Sequence, residues 1–236
     1  MIILAFDGTA KAASVAVCDS MRLLGLYTID NGLTQSELLL PMAENLLKSL
    51  NLTFDDVELY AVAVGPGSFT GVRIGVSLVK GLAFSKNVPC VAVSTLDELA
   101  ENITPLKGIL VPCMDARRGQ LYSATFKSDG EVCERLTPDR AISICDLAKE
   151  LSSFENEDIY LSGDGYETAY RELSALGVKL SKTPTLLICE NAYSVAKVAL
   201  RKYNAGEFVN DEKISPTYLR MPQAERERLE RENKKV

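Results

Sequence analysis

Ile2-Ile3-Leu4-Ala5-Phe6-Asp7 is an apolar run that stops on an aspartate, and Gly8-Thr9 turns the chain directly after it. Ala13-Ser14-Val15-Ala16-Val17 follows, and an Asp-Gly turn sets two such runs side by side as strands. A third strand is predicted over Leu23 to Ile29. The same order returns in the second half: Ile109-Leu110-Val111-Pro112-Cys113-Met114-Asp115, a turn, Leu121 to Phe126, then a strand near Val132 to Leu136. Each half continues with a helix and one more strand. In the first these are a helix ending near Leu50 and the strand Leu59 to Val64; in the second, Ile144 to Ser152 and Ile159 to Ser162. Repetition at this scale predicts a duplicated α/β chain with a mixed sheet and flanking helices in each half. The expected boundaries are 1–104, 105–220 and a charged, flexible tail over 221–236.

Two compact units suit a chain of 236 residues with 47% hydrophobic and 25% charged residues. The net charge of -6 argues against a general polyanion-binding surface. Cys18, Cys90, Cys113, Cys133, Cys145 and Cys189 contain no C-x-x-C pair, so buried reduced thiols are expected rather than zinc or redox chemistry. The start of the chain lacks a basic leader and no apolar run reaches the roughly 20 residues of a membrane helix, so the expected location is the cytoplasm. There is no histidine at all. That excludes Ser-His-Asp triads, Cys-His dyads and histidine-ligated metals, leaving carboxylates, Lys, Tyr, Ser or a bound ion for any chemistry.

Gly65-Pro66-Gly67-Ser68-Phe69-Thr70-Gly71-Val72-Arg73 joins a predicted buried strand to a predicted helix over Thr70 to Lys86. A strand-to-helix junction can receive an anion, but this one lacks the Gly-x-x-x-x-Gly-Lys-Ser/Thr spacing of a nucleotide loop and has no lysine for terminal phosphates. It reads as a turn that launches a helix. On that helix Arg73, Ser77 and Lys80 form a narrow polar stripe, leaving an apolar arc of about 220°, where one packed face needs about 100°. Gly71 and Gly75, with Gly81 beyond, permit close approach of another element. The preceding helix, opened by the capping pattern Thr34-Gln35-Ser36-Glu37 and carrying Pro41 as an expected kink, is also broadly apolar. A partner chain is therefore expected against Leu39, Met42, Leu46, Gly71, Arg73, Ile74, Gly75, Leu78 and Leu82; burial of both helices inside one large domain is the competing reading.

Asp7 and Asp115 close equivalent strands, and facing turns of this kind can hold a metal nucleotide across a cleft. Asp7, Thr9, Asp115 and Arg117, with Gly163 and Gly165 of a second glycine turn, are the candidate cleft residues.

Three segments carry a resemblance: Gly-Pro-Gly-Ser-Phe-Thr-Gly-Val-Arg-Ile-Gly at 65–75, Met-Asp-Ala-Arg-Arg-Gly-Gln-Leu-Tyr at 114–122, and Pro-Thr-Tyr-Leu-Arg at 216–220. In order and spacing they resemble the TsaB (YeaZ) family over nearly the whole chain. The resemblance implies two related subdomains of the actin-like ATPase (ASKHA, RNase H-like) fold and a role in threonylcarbamoylating the adenosine beside the anticodon of tRNAs that read codons beginning with A. It implies a TsaD-type transferase as partner, joined by a TsaE-type ATPase, with homodimers when alone, dimerisation through the two first-half helices, and tRNA met through the complex. The catalytic relative binds its metal through two histidines four apart on the first helix; here that helix reads Thr34-Gln35-Ser36-Glu37-Leu38-Leu39-Leu40-Pro41, with neither. No catalytic residue, metal or intrinsic cofactor is therefore expected, and ATP or ADP with magnesium is a candidate only at the assembled complex. The alternative is a free-standing Mg-ATP-dependent enzyme using Asp7 and Asp115. A peptidase has no nucleophile and base pair to support it.

Overall fold

Strand β1 (Ile2–Asp7) lies between antiparallel β2 (Ala13–Asp19) and parallel β4 (Leu59–Ala63), and the first sheet runs β3-β2-β1-β4-β5, with β3 at Arg22–Ile29 and β5 at Cys90–Val93. The computed structural model describes residues 1–220; the expected charged tail lies outside them.

Helices α1 (Gln35–Ser49) and α2 (Phe69–Phe84) cover one face of this sheet, where Leu39, Met42, Leu46 and Val76 meet Leu4, Phe6, Val15 and Val62. The reciprocal Thr34–Glu37 capping box forms as the spacing predicts, with Thr34 N–H donating to Glu37 Oε2 at 2.8 Å. Pro41 falls inside α1, which continues through it. Helix α3 (Thr95–Ile103) begins on Ser94, whose Oγ accepts the Leu96 amide at 3.1 Å.

The second half repeats the first. Its central strand is β6 (Gly108–Asp115), with β7 (Gln120–Ser123) and β8 (Phe126–Ser128) antiparallel on one edge and β11 (Ile159–Ser162) parallel on the other. The sequence predicts one strand where β7 and β8 stand. Cys113 faces Ser123 and Leu110 faces Phe126, so both keep one register on β6. Their break lies opposite Pro112, which has no amide to donate to a ladder. The third strand is likewise split, β9 (Cys133–Arg135) pairing β8 and β10 (Arg140–Ser143) pairing β7; the sequence pattern revealed only the first.

Helices α4 (Ile144–Leu151) and α5 (Tyr166–Ala175) cover one face of the second sheet, and α3 packs on the other against Leu110, Met114 and Phe126. The last helix, α6 (Ala192–Asn204), does not stay with the second sheet. It returns to the first, where Ala192, Val195, Ala196 and Ala199 pack on Ile3, Ala5, Ala61 and Val91. The small side chains of this layer let a helix lie close on a sheet. Residues 214–220 form no strand; they cross back as a strap, anchored by buried Ile214 and by the Thr217 amide donating to Val64 O at 2.8 Å.

Candidate functional site

The turn after β4 and the first turn of α2 are pressed against the β1–β2 turn. Ser68 N–H donates to Thr9 O at 2.6 Å, and a Cβ at Gly71 would collide with the Gly8 carbonyl. Gly65, at φ +107, has the strap above it: a Cβ there would lie 2.8 Å from Thr217 O. The Gly65–Pro66 peptide is cis. Gly75 faces Val62 of β4, whose Cγ2 would be 3.3 Å from an added Cβ. The close approach expected of Gly71 and Gly75 is thus made inside the chain, to its own first sheet. Only Gly81 of the three opens onto free space.

The same sorting applies to the expected partner-contact residues. Leu39, Met42 and Leu46 are buried in the first core, Leu46 reaching over Gly25 of β3. They shape α1 and do not present it. Ile74, Leu78 and Leu82 remain half-buried along the outer side of α2, Arg73 is exposed at its start, and Phe84 is 75% exposed at its end. Val72, Val76, Val79 and Ala83 spend the inner half of the apolar arc on the sheet. An outer apolar row is left over, as the breadth of the arc requires.

Beside this row a cleft of about 810 Å³ opens between the two sheets, lined by Thr9, Lys11, Gln35, Asp115, Arg117, Asp164, Tyr218 and Arg220 among others. Thr9 Oγ1 and Gln35 Oε1 are buried and have no partner among the described residues. Gln35 Nε2 donates to Ala10 O at 2.9 Å, so the amide pins the β1–β2 turn.

Asp7 does not reach this cleft. It is 0% exposed, its Oδ1 accepts the Thr9 amide at 2.5 Å, and the buried Glu98 carboxyl of α3 is its acidic neighbour. Asp7 Oδ2 and Glu98 Oε2 are both buried without a hydrogen-bond partner among the described residues. Burial drives both carboxyls above their ordinary range, Glu98 furthest because the Asp7 charge adds to it. Glu190, before α6, accepts the Asp164 amide at 3.2 Å and is pushed to about 8 by burial, with Asp7 adding to the shift. Sequence reasoning missed Glu98 and Glu190; nothing in a helix-surface pattern marks a glutamate that tertiary packing will bury. An enclosed Asp7, with burial raising its carboxyl above the ordinary range, is poorly placed to hold a divalent ion in the cleft, and among the described residues no cluster of metal-ligating side chains is present.

Asp115 lies at the cleft edge, where its Oδ1 accepts the Arg117 amide at 2.7 Å and its own amide donates to Asp164 Oδ1 at 2.9 Å. Gly163 and Gly165 back onto the carbonyl of Cys113, so their missing side chains serve strand packing. Of the six expected cleft residues, Thr9, Asp115 and Arg117 line the space, and Asp7, Gly163 and Gly165 do not.

Two mixed sheets, each an antiparallel meander extended by parallel strands, β4 and β5 in the first and β11 in the second, and facing each other across a cleft, define an actin-like ATPase-type fold. The sequence profile of the family TsaD: tRNA N6-adenosine threonylcarbamoyltransferase matches residues 34–226. The chain is 33% identical to the tRNA threonylcarbamoyladenosine biosynthesis protein TsaB of Bacillus subtilis over 164 residues, 70% of this chain and 72% of that one. It is 28% identical to the protein of that name from Escherichia coli, covering 93% and 95%. A solved Pseudomonas aeruginosa structure described as similar to peptidase YeaZ superposes with a TM-score of 0.77 at 25% identity, covering 93% of this chain and 99% of that one. The chain belongs to the TsaB family of threonylcarbamoyladenosine biosynthesis proteins and also matches the TsaD profile.

Proposed function

We propose that this protein is a non-catalytic subunit that dimerises with a TsaD-type transferase and activates it for threonylcarbamoylation of tRNA. One observation carries the reading: α2 fills the first core with one face and carries Ile74, Leu78 and Leu82, packed on the edge of that core but only half-buried, together with exposed Phe84. Apolar side chains aligned along a helix are what a second helix packs on, and a transferase sharing the duplicated fold offers an equivalent pair of helices. On α1, which packs beside α2, Pro41, Glu44 and Asn45 are exposed. The same patch supports a homodimer when the partner is missing. A TsaE-type ATPase joins the complex, which meets the tRNA and holds any nucleotide with magnesium. The protein acts in the cytoplasm; among the described residues no helix is long and apolar enough to cross a membrane.

The test is reconstitution. With purified transferase, ATPase and threonylcarbamoyl-adenylate, omitting this chain should abolish tRNA modification, and Leu78→Asp should do the same without unfolding the protein. An unchanged rate when the chain is left out sinks the reading.

A further inference from the structure

Between β6 and β7 the chain turns through Arg117, Arg118 and Gly119 with φ of +60, +57 and +69. Glycine adopts this left-handed region freely, whereas two consecutive arginines there are strained, and such strain persists where the surroundings impose it. The surroundings are specific. Asp115 accepts the Arg117 amide, Asp164 holds the Asp115 amide, and Arg220 from the strap donates to Ala116 O at 2.9 Å and to Gln120 Oε1. The two neighbouring carboxylates thus take backbone amides instead of guanidinium groups. Arg117 and Arg118 are exposed and, like Arg22, Arg73 and Arg220, form no ion pair among the described residues, whereas Arg135, Arg140, Arg171 and Arg201 do. Lys11, on the β1–β2 turn, is also exposed without an ion pair among them, and lines the same cleft as Arg117.

We propose that the Arg117–Arg118 turn, with Lys11 across the cleft, grips the phosphate backbone of the tRNA on which the assembled complex acts. This rests on the assembly reading above. The exposed residues of the tip, Asp115, Arg117, Arg118 and Gly119, offer no apolar anchor for a protein interface, and phosphate contacts need only positioned charge. Asp30, Asp115 and Asp164 line the same cleft, so in a chain of net charge -6 the three cations are sufficient to orient a polyanion held elsewhere and too few to bind one tightly alone.

The test compares the wild-type chain with Arg117→Gly/Arg118→Gly, which suits the backbone and removes the charges, and with Arg117→Lys/Arg118→Lys, which keeps them. Labelled tRNA is titrated against each chain assembled with its transferase, and against each chain alone, over a salt series. The glycine variant should melt no lower than wild type and assemble normally, yet bind tRNA on the order of tenfold more weakly, with the salt slope reduced by about two; the lysine variant should retain the slope. Equal affinity and slope for wild type and the glycine variant overturns the proposal. So does loss of assembly by a folded glycine variant, which makes the turn a protein contact. Failure of the wild-type chain to assemble counts against the assembly reading, while the isolated-chain titration still reports on the turn.

Discussion

Arg73 donates its Nε–H to the Tyr218 hydroxyl at 2.8 Å while its guanidinium lies 3.7 Å over the ring of Phe69, so the start of α2 and the strap over it form one stack. Phe69 and Tyr218 add a tilted ring contact at 5.0 Å. Tyr218→Ala should cost about 1 kcal/mol, the order of one aromatic contact with a partly exposed cation–π contact. Hydrogen exchange at the Thr217 amide, which bonds Val64 O, should accelerate with it. Unchanged exchange would show that Ile214 alone anchors the strap.

The glycines of α2 separate inner from outer face without reference to any partner. Gly71→Ala drives a methyl into the Gly8 carbonyl, and backbone cannot swing aside as a side chain does. A loss of roughly 2 kcal/mol or more is expected in urea unfolding. Gly81→Ala meets nothing within 4 Å and should stabilise by about 0.5 to 1 kcal/mol through helix propensity.

Leu39 and Leu78 divide the two roles expected of both helices together. Leu39→Ala opens a cavity in the first core and should cost about 2 to 5 kcal/mol. Leu78→Asp, half-buried on the outer side of α2, should shift stability far less while shifting size exclusion from dimer to monomer. Equal stability losses would mean that α2 has no free face.

Glu190 ties stability to pH. Its carboxyl is held near 8 when folded against an ordinary value of 4.5, so the folded state binds the extra proton between those values. Stability therefore falls as pH rises through that window and levels off above it. Glu190→Gln keeps an acceptor for the Asp164 amide and cannot ionise. Its melting temperature should vary less between pH 5 and 8 than that of wild type; parallel curves would show that Glu190 is not the titrating group.

The sequence by itself determined the duplicated plan, because alternating apolar strands, Asp-ending turns and helix caps are local signals. β1 to β3, α1 to α3 and β6 fall close to where their patterns lie, and the Thr34–Glu37 box forms as its spacing requires. The broad apolar arc of α2 was legible too, since helical periodicity is intrinsic to the order of residues. Tertiary structure decided which part of that arc stays outside. Gly71 and Gly75 look alike whether they meet a partner or their own sheet, and only the position of Gly8 and Val62 separates the cases. It also decided that α6 crosses to the first sheet, that Pro112 faces a break in its neighbouring strand, and that Asp7, Glu98 and Glu190, far apart in the chain, are buried together. Burial is a property of the assembled fold, so Asp7 looked like a cleft ligand in the sequence and became an enclosed carboxyl in the structure.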